Sequence, residues 1–96
     1  MTTTPSFGSR QLCKCLEQLG FKSLPQKATS HVKYEPPKGI DPLHGQRPFI
    51  MVQLGIKTYD QNACSRYISQ IKFFDFSREE IIKLLKLLKI FLLKIY

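Results

Sequence analysis

No stretch of this chain is long and apolar enough to span a bilayer. The greasiest run, residues 81–96, is too short, and four lysines interrupt it. A basic segment followed by an apolar core is missing from the first residues, so 1–8 read as a flexible polar tail rather than a signal sequence. Cysteine is sparse and odd in number: Cys13, Cys15 and Cys64. Cys13 and Cys15 on a helix would point in two directions, a poor half-site for zinc. No metal or cofactor is therefore expected, and reduced thiols in a cytoplasmic protein fit the count. Acidic residues are few, seven against fifteen Lys and Arg, which leaves a net charge of +8 and a pI near 9.6. Folding does not require such an excess, and self-repulsion makes it a mild cost. Solubility would be served by it, but phosphate is the commonest partner of such a surface, so nucleic acid or an anionic membrane face is favoured. The cations run from Arg10 to Lys94 and so decorate a folded body.

What is present fits one domain, since 96 residues are too few for two cores. Leu12, Cys15, Leu16 and Leu19 recur at helical spacing, predicting a helix over 9–19 with Ser9 as its cap. Gly20 supplies a left-handed stop, with Phe21 folding back on Leu16. Residues 21–26 read as an edge strand. The next strand, 30–34, alternates, with Val32 and Tyr34 on one side and His31 and Lys33 on the other. Four prolines and two glycines make 35–48 a long loop. Residues 48–54 form the clearest strand, with Ile50, Val52 and Leu54 on one side. A second helix starts at Asp60 or Gln61, with Cys64, Tyr67, Ile68 and Ile71 as its apolar stripe. Ser77 and Glu80 then match a capping box, with Phe76 and Ile81 as a hydrophobic staple, so a third helix runs from Arg78. The expected class is α+β: a three-stranded antiparallel sheet with helices on one face.

Among these elements the segment from Lys27 through Ser30, His31 and Lys33 carries the chemistry. An imidazole exchanges a proton near neutral pH, and flanking lysines would hold a polyanion beside it. Lys33 projects from the same strand face as His31, and Lys27 could approach from the neighbouring strand. Ser30 could orient the ring or bond a phosphate oxygen, although a regular strand would turn it to the opposite face. The second histidine, His44, lies in the proline-rich loop and reads as a solvated side chain. Phe49 and Met51 share the His31 side of the sheet, where they would either stack on bases or pack under the long loop or last helix. Arg47, Lys57, Arg66 and Lys72 are candidates for nucleic-acid backbone contacts.

Taken in order, a helix ending Leu19-Gly20-Phe21, a short strand, Thr29-Ser30-His31, the run from Arg47 to Leu54 and a closing helix resemble the HicA family of toxins. The likeness covers residues 12–85, and Ser30-His31 match the last two positions of the family's Gly-Ser-His motif. Two departures stand out: Thr29 replaces the glycine, and Gln53-Leu54-Gly55 replaces a proline and histidine after the third strand. The resemblance implies a fold like the double-stranded-RNA-binding domain over 9–76. It also implies a metal-independent mRNA interferase and a HicB-like antitoxin as partner. RNA can be cut in this way because its own 2′-hydroxyl attacks phosphorus. His31 would then move the proton, and Lys33 and Lys27 would neutralise the phosphate.

The segment 77–96 is a cationic amphipathic helix whose apolar arc is wider than one neighbouring sheet covers. It would dock on its own domain, on a second copy or on the antitoxin. Two other function classes stay open: a non-catalytic RNA-binding module, and a membrane-surface or interaction protein anchored by that helix.

Overall fold

The computed structural model describes residues 5–24, 30–40 and 48–95, with side chains through residue 88. Its element order is α1 (Ser9–Gln18), β1 (Lys22–Ser23), β2 (His31–Glu35), β3 (Ile50–Gln53), α2 (Gln61–Lys72) and α3 (Arg78–Ile95). The expected α+β class is found, with strands in the order β1-β2-β3 and both pairings antiparallel. No helix among the described residues is long and apolar enough to cross a membrane.

Helix α1 begins one residue earlier in the chain than its sequence cap suggests. Gly8 is the cap, and its N–H donates to the Gln11 side-chain oxygen at 3.0 Å. Ser9 is instead the first helical residue. Its N–H and its hydroxyl both donate to the Ile56 carbonyl, at 2.9 and 3.1 Å, and the Ile56 N–H donates back to the hydroxyl at 3.2 Å. The helix start is thereby laid directly on the backbone leading to α2. Glycine is required at position 8 by this approach, because a Cβ there would run into the Lys57 carbonyl. Phe7, read from sequence as part of a flexible tail, is buried with its ring edge-on to Tyr59, and its carbonyl accepts from the Tyr59 N–H. The structured body therefore starts before residue 9. The other end of α1 closes as expected. Gly20 has φ +95°, its N–H donates to Glu17 O at 3.0 Å, and the Phe21 N–H donates to Leu16 O at 2.9 Å. That pair of bonds is a Schellman ending.

Both later helices carry the expected caps. The Asp60 carboxylate accepts from the Ala63 N–H at 2.7 Å, and the Ser77 hydroxyl accepts from the Glu80 N–H at 3.1 Å. The chain turns between them through Asp75, whose φ of 71° is in the left-handed region. A short polar side chain tolerates that conformation better than most.

One core joins all the elements. The α1 stripe Leu12, Cys15 and Leu16 meets Tyr34, Ile50 and Val52 from the inner sheet face and Cys64, Ile68 and Ile71 from α2. Helix α3 contributes Ile81 and Leu85, so 77–96 packs on the domain itself at least through its first two turns. Phe21 meets Phe74 edge to face at 5.4 Å between centroids. Burial pushes the Cys15 thiol up from 9.0 to about 12, and it raises the Tyr34 and Tyr59 phenols as well. β1 is Lys22–Ser23 within the expected 21–26, of which 25 and 26 lie outside the described residues, and β2 keeps its expected length but starts one residue later, at His31. β3 is Ile50–Gln53 within the expected 48–54, and Leu54, expected on its inner side, lies past the strand and is exposed.

Two outcomes follow from this packing. Gly8→Ala should cost on the order of 2 kcal/mol by forcing α1 off the Ile56–Lys57 backbone; an unchanged urea midpoint would contradict that docking. The folded state keeps the Cys15 proton that the unfolded chain releases above its ordinary 9.0, so stability is complete below pH 9 and declines as pH rises toward 12. Urea midpoints that coincide at about pH 8 and pH 11 would contradict the burial of this thiol.

Candidate functional site

Strand register assembles the candidate site. His31 is paired with Gln53, Val32 with Val52, Lys33 with Met51 and Tyr34 with Ile50. Tyr34, Ile50 and Val52 are buried beneath the helices, which sends His31, Lys33, Met51 and Gln53 to the opposite face, clear of helices among the described residues. β1 adds Lys22, paired with Glu35, to that same face.

His31 is exposed, and its Nδ1 lies 3.3 Å from the Ser30 hydroxyl. Ser30 stands just before β2, where the chain bends, so it escapes the strict alternation that would have turned it away. The contact orients the ring and leaves tautomer choice to the hydroxyl. With Nδ1–H donating to Ser30, Nε2 is the nitrogen without a proton; with Ser30 donating, Nε2 carries the proton. Two residues along, the Lys33 ammonium sits 4.2 Å above the centre of the Phe49 ring. That cation–π contact holds a flexible side chain in place. It also occupies one face of Phe49, so the ring serves as a seat for Lys33 and that face is closed to a base. Met51 is 38% exposed and does not pack under the last helix, because the helices lie across the sheet from it.

Gln53 has an unusual setting. Its N–H donates to the Tyr67 hydroxyl at 3.1 Å, and its carbonyl accepts from the Tyr59 hydroxyl at 2.5 Å. The two rings lie 4.9 Å apart, centre to centre. The Leu54 N–H meanwhile donates to Ser30 O at 2.7 Å. Gln53 thus directs its own backbone groups away from β2, which makes His31–Gln53 a non-hydrogen-bonded pair, the kind whose side chains stand closer. The tyrosines close an edge strand that would otherwise present bare backbone at this point.

The structure gathers Ser30, His31, Lys33 and Phe49 on one surface. Of the other expected cations, the three that lie among the described residues fall elsewhere. Lys57 is exposed in the connection from β3 to α2, near the start of α1. Arg66 and Lys72 are exposed on α2, in the helical layer. Lys27, Arg47 and His44 lie outside the described residues. Lys22, Glu35 and Gln53 share the His31 face without having been singled out from sequence. The alternation of β3 placed Gln53 with Phe49 and Met51, but nothing local paired it with His31. Among the described residues, no three His, Cys, Asp or Glu side chains converge where they could hold a metal ion. No family model matches the chain, and no curated protein or solved structure matches it.

Tyr59→Phe should lower stability by about 1 kcal/mol, since it leaves the Gln53 carbonyl without its donor. The same variant should speed amide exchange near Gln53, and unchanged exchange and stability would mean that the tyrosine clamp does not hold β3.

Proposed function

We propose that this protein is an endoribonuclease of the HicA toxin type, cutting mRNA and held inactive by a HicB-like antitoxin. The observation that carries the reading is an exposed histidine with a hydroxyl on Nδ1 and a seated lysine two residues along the same sheet face. Cleavage within RNA needs a base for the 2′-hydroxyl, positive charge for the phosphate and an acid for the departing 5′-oxygen. His31 accepts the 2′-hydroxyl proton through Nε2 while O2′ bonds to phosphorus and the bond to O5′ breaks. The leaving oxygen takes a proton from water or from a returning imidazolium. The products are a 2′,3′-cyclic phosphate and a 5′-hydroxyl.

Lys33 suits the phosphate because its ammonium is fixed over Phe49 before substrate arrives, so little ordering is left for the transition state. Ser30 fixes the imidazole plane and admits the tautomer in which Nε2 carries no proton. The net charge of +8 favours a polyanion at long range, where Lys57, Arg66 and Lys72 contribute to the field without touching the reacting group. Lys27 and Arg47 remain candidate backbone contacts on the strength of charge and chain position. Helix α3 leaves Leu87 exposed while Leu85 and Leu88 beside it pack on the core, so its outer side offers apolar surface to the antitoxin or to a second copy.

Purified protein and an unstructured RNA test the proposal. His31→Ala should slow cleavage by about 10²–10⁴-fold while leaving RNA retention nearly unchanged. Cleavage that persists in that variant overturns the catalytic assignment, and retention without any cleavage by the wild type would favour a non-catalytic RNA-binding module.

A further inference from the structure

The residue facing His31 across the strands has a use beyond packing. Gln53 is exposed, on the sheet face opposite the buried Ile50 and Val52, and directly across from His31 in a non-hydrogen-bonded pair. Opposite side chains in such a pair begin about 4.5–5.5 Å apart at Cβ. A group bound at the His31 ring is therefore within reach of a glutamine side chain. The backbone of Gln53 is anchored on both sides, by the Tyr67 hydroxyl at its N–H and the Tyr59 hydroxyl at its carbonyl. Neither anchor involves the carboxamide, which is left to meet a ligand. A neutral amide N–H₂ is a suitable donor to a phosphate oxygen that gains charge during attack. It supplies that bond without setting a second positive charge beside Lys33.

We propose that Gln53 is a catalytic residue of this site, its amide donating to a non-bridging oxygen of the scissile phosphate as the 2′-oxygen adds. The inference rests on the ribonuclease reading of the His31 face and names a further group acting on the reacting atoms. In it the phosphate lies between three side chains. His31 stands at the 2′-oxygen, Lys33 faces one non-bridging oxygen, and Gln53 faces the other.

The test compares wild type, Gln53→Ala and Gln53→Glu on a set of short single-stranded RNAs differing at the cleaved position. Gln53→Ala should lower kcat at least about tenfold with KM little changed, and by a similar factor for every base. Gln53→Glu should lose more, because it sets a carboxylate against the phosphate. Both variants should melt with the wild type, since the tyrosine anchors do not use the side chain. Wild-type kcat in Gln53→Ala overturns the inference while leaving the ribonuclease reading intact. A loss confined to one base also overturns it, by making Gln53 a base reader. Absence of cleavage by the wild type overturns the ribonuclease reading, and this inference with it.

Discussion

The site depends on the burial of Tyr34, Ile50 and Val52 beneath the helices, which fixes the pairing of β2 with β3. A strand alternates with period two, so a slip of β2 by one residue would turn His31 and Lys33 into the core and send Val32 and Tyr34 outward. Burying a cation without a partner is prohibitive beside the few kcal/mol separating folded from unfolded chains. The same apolar contacts that make the sheet adhere to α1 therefore present an imidazole, an ammonium and an amide to solvent. Packing and surface chemistry are two consequences of one register.

Around that register the molecule protects its weak points with polar groups from elsewhere in the fold. β3 is an edge strand, and at Gln53 its backbone is closed by hydroxyls from Tyr59 and Tyr67. Tyr34 is inward-facing but reaches the surface of α1, where its hydroxyl donates to the Glu17 carboxylate at 3.1 Å. No buried side-chain nitrogen or oxygen among the described residues lacks a partner. In a domain this small, such satisfaction matters, because a single orphaned group costs a large share of the total stability. The N-terminal segment adds to the same economy. Phe7 fills the core beside Tyr59, and Gly8 lets two backbones approach where any side chain would hold them apart.

Local signals were legible where local physics decides. The Gly20 stop, the Asp60 and Ser77 caps and the apolar stripes of the helices each involve residues within one or two turns of one another, so spacing alone revealed them. Ser9 misled because its hydroxyl, equipped to cap α1, meets the Ile56 backbone from a distant part of the chain. Phe7 misled for the same reason: a lone apolar residue near a polar end has no periodicity to announce its burial. In the proposed site, alternation was enough to put His31 and Lys33 on one face. The seating of Lys33 over Phe49, the bend that frees Ser30 and the juxtaposition of Gln53 with His31 all join residues across strands or at irregular backbone.

The sequence by itself determined the α+β class, the order of elements, most helix caps and the parity of β2 and β3, because these follow from propensity and from periods of 2 and 3.6. It also set the basic charge, which is a sum and needs no geometry. Tertiary structure alone decided which residue stands opposite His31, which ring supports Lys33, and which cations fall away from that face on α2. Those relations depend on how far one strand slides along another and on where the helices settle. Many weak apolar contacts fix both together, and no short run of residues encodes either.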